Sequence, residues 1–155
     1  MSVQDADAPG GAKDGKGAQE LDDFLAEAEQ MVKESRYDDA EIHLLAVIER
    51  YPDSPLPHHD LAVVYLARLR EDYEHLEIWE DLADDEEVFE LAVAETEAAL
   101  DLDENFLPAR NNLGTLFALR AWWEPAIQQW EMSLSVNPDQ PVVREDLARA
   151  RSRLG

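Results

Sequence analysis

Cysteine is absent from this 155-residue chain, and other features that would point to a function are missing with it. Without cysteine there is no disulfide framework, no thiolate metal site and no thiol nucleophile. No apolar run approaches the roughly 20 residues that a membrane-spanning helix needs, and the N-terminus lacks the apolar core of a signal peptide. The sequence therefore predicts a cytoplasmic protein, and its length favours one domain.

Positive charge is also scarce. The formal net charge is −23, and lysine occurs only at Lys13, Lys16 and Lys33. Residues 71–104 contain 16 acidic residues and neither lysine nor arginine. Because nucleic acids and anionic membranes attract the opposite sign of charge, we predict no nucleic-acid binding and no membrane insertion. Two explanations of the acidity stay open: halophilic adaptation to concentrated salt, and recognition of a basic partner.

Motifs for catalysis and metal binding are missing as well. The sequence contains no G-x-S-x-G, no H-E-x-x-H, no glycine-rich phosphate loop and no D-x-D-x-D-G calcium loop. His58 and His59 are neighbours, so on a helix they would point about 100° apart and could not chelate one metal from one face. The abundant carboxylates look solvated, whereas a general acid needs an apolar cleft that raises its pKa. We therefore expect no enzymatic activity, no cofactor and no metal site.

A regular pattern of leucine, small and aromatic residues is present in the C-terminal third of the chain. A leucine, a glycine and an aromatic residue lie on one helical face. After a polar break, an aromatic, an alanine and a second aromatic follow at helical spacing, and a proline ends the second helix. The residues that define this pattern are Leu113, Gly114, Phe117, Trp123, Ala126, Trp130, Leu134 and Pro138.

The same offsets recur upstream. A first unit, residues 21–54, is marked by Phe24, Ala28, Met31, Tyr37, Ala40, Leu44, Val47 and Pro52. In a second unit, residues 55–106, the first helix carries Leu61, Ala62 and Tyr65. Its second-helix residues come 18 positions late, at Phe89, Ala92, Thr96, Ala99 and Leu100. A half unit with Leu147 and Ala148 follows the third unit.

Three and a half units in phase resemble the tetratricopeptide repeat (TPR), whose signature is W-x2-L-G-x2-Y, then A-x3-F, then P, in a unit of 34 residues. Arg110 stands in place of the first tryptophan. The resemblance implies an all-α, right-handed α-α superhelix of three TPR helix pairs, closed by a capping helix over residues 141–154. Its TPR domain would cover residues 20–155, in repeats 21–54, 55–106 and 107–140. Residues 1–19 lack apolar periodicity and are predicted to form a disordered arm.

Helices are predicted at about 20–34, 38–50, 57–81, 85–102, 107–120, 124–136 and 140–153. The 18 extra residues predict an insertion at about 70–87 that continues the helix of the second repeat and turns back near 82–85, as an extended helical hairpin. A short separate helix is the alternative. Trp122 occupies a turn beside the insertion, which leaves two interpretations. It packs against the insertion around Ile78 and Trp79, or Trp79 and Trp122 form an exposed patch that anchors a partner.

The family resemblance implies that the first helix of each pair lines a concave groove. The groove residues are then Leu25, Glu29, Val32, His59, Val63, Leu66, Asn111, Thr115, Ala118, Leu119 and Arg149. Some members of the family hold a peptide carboxylate with basic and asparagine side chains. Those positions here are Leu25, Glu29, Asp60, Pro108 and Asn112, so only one asparagine remains and the acidic side chains would repel a carboxylate.

The sequence therefore predicts a non-catalytic protein-interaction module. Its groove would bind a peptide or helix segment with apolar anchors and basic flanks. Two alternatives remain. The groove could be filled by the protein's own end helix or N-terminal arm. The chain could also be a structural subunit that forms a homo-oligomer, or docks in a complex, through the acidic insertion and its tryptophans.

The acidity generates a prediction about salt. We expect the melting temperature to rise markedly from 0.1 M to 2 M KCl, because the screening length falls from about 10 Å at 0.1 M to about 3 Å at 1 M. Thermal unfolding followed by circular dichroism measures this shift. A melting temperature that stays constant would argue against salt adaptation and favour recognition of a basic partner as the reason for the charge.

Overall fold

The computed structural model describes residues 15–75 and 83–155, with side chains for residues 15–70 and 86–155. The described residues form seven α-helices and no strand, which confirms the all-α prediction. The helices are α1 Gly15–Lys33, α2 Tyr37–Arg50, α3 Pro55–His75, α4 Ala83–Leu102, α5 Leu107–Leu119, α6 Trp123–Val136 and α7 Pro141–Leu154.

The helices pack as successive pairs. α1 contacts α2, α3 contacts α4 and α5 contacts α6, while α7 packs on α6 as the capping helix. Neighbouring pairs touch through α2 and α3 and through α4 and α5. The first helices also meet one another, α1 with α3 and α3 with α5. The first helices therefore share one face of the superhelix, where a groove can form.

Backbone hydrogen bonds show the repeat register directly. The N–H groups of Tyr51, Asp103 and Asn137 each donate to the carbonyl four residues earlier, at 2.9, 3.0 and 3.0 Å. These three residues are 52 and then 34 positions apart, so the middle unit is longer by 18. Ser35 and Ala121, which follow the first helices of units one and three, both have a φ of 56°. Equivalent turns thus adopt the same left-handed conformation.

The extra residues lengthen both helices of the middle pair. α3 has 21 residues and α4 has 20, against 14 for α2 and α6 and 13 for α5. The predicted turn of the insertion, with Ile78 and Trp79, lies outside the described residues. At the other end, α1 begins at Gly15, so residues 15–19 are helical and not part of an arm. Extending an existing helix costs little, and the Gln19 amide donates to Asp23 at 3.0 Å within this turn.

Small residues let the helices of each pair approach closely. Ala40, Ala92 and Ala126 occupy equivalent positions on the second helices, and each is fully buried. On the first helices, the small-residue position of the repeat is occupied by Ala28, Ala62 and Gly114. In unit three the side chain opposite it is Trp130, and the equivalent residues of units one and two are Leu44 and Thr96, so the bulkiest of the three faces the glycine.

The glycine in unit three has no room for a side chain. A Cβ atom on Gly114 would lie 2.5 Å from Nε1 of Trp130. That indole cannot move away freely, because its N–H donates to the carbonyl of Asn111 at 3.3 Å. The indole also belongs to the core cluster that joins α6 to α7. Gly114 is therefore required by packing and not by backbone conformation.

We expect Gly114→Ala to lower the free energy of unfolding by about 1–3 kcal/mol, since overpacking outweighs the higher helix propensity of alanine. Urea denaturation measures this change. Gly15→Ala is the matched control, because no atom lies within 4 Å of its added Cβ, and it should not destabilise the protein.

The pairing of sizes gives a second check. Combining Gly114→Ala with Trp130→Leu recreates the Ala28 and Leu44 combination of unit one. The double variant should therefore lose less free energy of unfolding than the sum of the two single losses. Strict additivity would show that the glycine and the indole do not interact.

Candidate functional site

A pocket of about 310 Å³ lies between α1 and α3. Its apolar lining includes Leu25, Val32 and Val63. Its charged lining consists of Asp22, Glu29 and Asp60. We call it the α1–α3 pocket. It brings together four of the predicted groove residues: Leu25, Glu29, Val32 and Val63.

The charge of the α1–α3 pocket is wholly negative among the residues that line it. Asp60 is the most buried of its carboxylates, and burial together with the nearby Glu29 raises its pKa to about 6. Glu29 is paired with Lys33 of its own helix, at 2.7 Å between Nζ and Oε1. Both members of that pair are mostly exposed, so it contributes little and leaves Glu29 able to meet a second cation. The pocket therefore offers carboxylates above an apolar floor.

A second pocket, of about 280 Å³, lies where α5 meets α7 and is called the α5–α7 pocket. Four further predicted groove residues line it: Thr115, Ala118, Leu119 and Arg149. Three arginines surround it, Arg70 from α3 and Arg149 and Arg153 from α7, and Asp146 is the only acidic residue among the described ones that line it. The described residues thus give the groove opposite charge at its two ends.

Three predicted groove residues are placed elsewhere. Leu66 is only 6% exposed and belongs to the core cluster to which helices α1 to α5 contribute, so it is not available to a partner. The His59 ring packs edge-on against Phe106 at 5.4 Å, on the α5 side of α3, and burial lowers its pKa. The Asn111 amide donates to Oε1 of Gln140 at 2.9 Å and ties α5 to the start of α7. These side chains stabilise contacts between helices.

Trp122 packs on one side and is exposed on the other, whereas the predicted contacts with Ile78 and Trp79 lie outside the described residues. Its ring packs edge-on against Phe89 of α4 at 5.7 Å and lies 6.0 Å from Phe117. The residue nevertheless remains 49% exposed. Close by, the Arg120 guanidinium lies 4.5 Å above the Phe89 ring and 2.8 Å from Oε2 of Glu86. These contacts join α4 to the third unit, while Trp79 lies outside the described residues.

The described histidines have structural partners. His43 Nε2 lies 2.9 Å from the carbonyl of Phe24, and His58 Nδ1 lies 2.6 Å from Oε2 of Glu95. Among the side chains of residues 15–70 and 86–155, no three histidine or acidic groups are placed so that they could hold a metal ion. In the same residues no helix combines the length and hydropathy that crossing a membrane requires.

Solved structures with this arrangement of helices include TPR domains. A TPR protein from Thermus thermophilus aligns with a TM-score of 0.75 at 19% identity, covering 90% of this chain and 68% of that one. The first TPR domain of human RPAP3 aligns with a TM-score of 0.71 at 16% identity, covering 86% and 91% of the two chains. The second TPR domain of human RPAP3, in complex with the HSP70 peptide SGPTIEEVD, aligns with a TM-score of 0.67 at 17% identity, covering 86% and 97%.

This chain has the tetratricopeptide-repeat fold. No model of a protein family and no curated protein matches the sequence. At these identities the likeness to solved structures is one of fold, and the groove has to be understood from its own residues.

Two TPR groove residues were not selected from the sequence as binding residues. From the sequence, Asp60 is named only among the positions of the family's carboxylate-binding side chains, and the neighbouring His59 is predicted as the groove residue. On a helix one residue changes the direction of a side chain by about 100°, and α3 turns Asp60 towards α1. Arg70 lies at the start of the insertion, where the family pattern defines no position. Its spacing of seven residues from Val63 places it on the same face.

The raised pKa of Asp60 predicts how the stability of this TPR domain depends on pH. The folded chain holds the Asp60 proton up to about pH 6, whereas the unfolded chain releases it near 3.8. Asp60 therefore lowers the free energy of unfolding progressively as the pH rises from about 4 to 6. The difference between 3.8 and about 6 corresponds to a full cost of about 3 kcal/mol at pH 7.5. Asp60→Asn should accordingly stabilise the protein at pH 7.5 and change it little at pH 3.5, as measured by urea denaturation.

Asp53→Asn is the matched control for this measurement. Asp53 lies exposed in the turn between α2 and α3, and its replacement removes the same unit of charge. Any general relief of repulsion in this acidic protein appears equally in both variants. An equal gain from the two substitutions would show that Asp60 carries no special cost in the folded state.

Proposed function

We propose that this TPR domain is a non-catalytic protein-interaction module that binds a basic side chain flanked by apolar residues in its α1–α3 pocket. The observation that carries the proposal is the combination of lining residues in that pocket: an apolar floor with three carboxylates and no base. A lysine or arginine side chain matches both parts, because its hydrocarbon stem covers the apolar floor while its charged end meets the carboxylates.

Comparison with the peptide-bound TPR domain supports the general activity and indicates a different ligand. The HSP70 peptide in that complex ends in the acidic sequence EEVD. In this chain Leu25, Glu29 and Asp60 line the α1–α3 pocket. The two carboxylates would repel such an end. The negative charge of this pocket therefore favours a positively charged group in the ligand.

The state of Asp60 links binding to pH. An unoccupied pocket keeps the Asp60 carboxyl protonated up to about pH 6. A bound ammonium or guanidinium group favours the ionised carboxylate, so part of the desolvation cost of Asp60 is offset only when the ligand is present. Glu29, Asp22 and Lys33 are the other charged groups near this site, and none of them is as buried as Asp60. Affinity should therefore increase with pH across this range.

Binding can be tested with capped hexapeptides that carry no terminal charge. The reference probe is Lys-Ala-Leu-Ser-Ser-Gln amide with an uncharged BODIPY label, compared by fluorescence anisotropy with versions that start with Gln or Glu. We expect the Lys peptide to bind at least about fivefold more tightly than the Gln peptide, which corresponds to about 1 kcal/mol for one charge pair. The preference should fall when Glu29→Gln and Asp60→Asn are combined, and should decline below pH 6 in the native protein.

The combined Glu90→Gln and Glu97→Gln variant is the matched control. Both residues are exposed on α4 and line neither pocket, so their removal changes the net charge equally without touching the groove. Light scattering at the same concentrations checks that self-association, the alternative function, does not produce the signal. A preference for lysine that the groove variant and the control lose equally would reduce the effect to net charge and contradict a specific site.

A further inference from the structure

Three of the ten arginines in this strongly acidic chain converge on the α5–α7 pocket. Arg149 and Arg153 are one turn apart on α7, so their side chains lie on the same helical face. Arg70 approaches from α3, and the Thr115 side chain completes the polar lining. Asp146 also lines the pocket, and the rest of the described wall is apolar, with Ala118 and Leu119 of α5 and the rings of Trp123 and Trp130.

The arginines retain donors for a ligand. Among the described side chains, Arg149 pairs only within its own helix, with Glu145 at 2.8 Å and Asp146 at 3.5 Å, and Arg149 is 62% exposed. Such exposed pairs are weak, and a guanidinium has five donors. Among the described side chains, Arg153 has no carboxylate within ion-pair distance. Two guanidinium groups beside an apolar wall form a suitable site for a carboxylate.

We infer that the α5–α7 pocket binds a side-chain carboxylate of the same ligand, so that a bound peptide has its basic residue at α1–α3 and an Asp or Glu at α5–α7. This inference rests on the proposed function and adds the direction and the charge pattern of the ligand. Charge complementarity at both ends fixes one orientation, because the reversed peptide would place each charge beside its own sign.

The length of α3 indicates the spacing between the two charges. Asp60 lines the first pocket and Arg70 the second, and these residues are ten positions apart on one continuous helix. Ten residues of α-helix correspond to about 15 Å. An extended peptide advances about 3.3 Å per residue, so the acidic residue should follow or precede the basic residue by about five positions.

The test uses the capped probe Lys-Ala-Leu-Ser-Ser-Glu amide beside versions that end in Gln or Lys. We expect the native protein to bind the Glu version at least about fivefold more tightly than the Gln version. Combining Arg149→Glu with Arg153→Glu should reverse the order and favour the Lys version. Combining Arg149→Gln with Arg153→Gln should abolish the preference, and Arg149→Lys with Arg153→Lys should retain part of it.

Arg144→Glu combined with Arg151→Glu is the matched control, since both residues are exposed on α7 and neither lines the pocket. It should keep the preference for Glu. Circular dichroism confirms that each variant is folded. Equal affinity for the three endings, with the preference for the first lysine intact, would overturn this inference and leave the proposed function standing. Equal affinity for every first residue as well would overturn both.

Discussion

The structure depends on the close approach of two helices within each pair, which buried small residues make possible. Ala40, Ala92 and Ala126 occur once per repeat and are fully buried. Where the facing residue grows to the size of Trp130, the opposing position contracts to Gly114. Once each pair has a fixed geometry, stacking three pairs brings α1, α3 and α5 into contact along one face. The groove is a consequence of that packing.

The repeat register could be predicted because helical periodicity converts sequence spacing directly into geometry. Small and aromatic residues at constant offsets predicted the helix pairs, and the equivalent hydrogen bonds of Tyr51, Asp103 and Asn137 show the same register. Side-chain direction was less predictable, since an error of one residue rotates a side chain by about 100°. Choosing His59 instead of Asp60 is such an error. Leu66 does not line the groove because its side chain lies within the core cluster.

The polarity of the groove could not be read from composition. A net charge of −23 indicates an acidic surface, yet the two pockets differ in sign. Local charge follows from which helices meet: α1 and α3 contribute Glu29 and Asp60 to one pocket, whereas α7 contributes arginines to the other. The TPR pattern could not predict Arg70 as a groove residue, because Arg70 lies where the insertion extends α3 beyond the usual length of the repeat.

Salt adaptation and recognition need not compete for the same acidic residues. The excess of acidic residues lies in residues 71–104. The acidic side chains that the structure describes there lie on α4 or just beyond it, and they line neither pocket. The carboxylates of the α1–α3 pocket, by contrast, come from Asp22, Glu29 and Asp60, outside the insertion. Concentrated salt screens exposed charges most and partly buried ones least. A surface dominated by α4 acids would therefore respond strongly to salt, while the partly buried Asp60 keeps its effect on a bound cation. The two properties are carried by separate parts of the structure and can be altered independently.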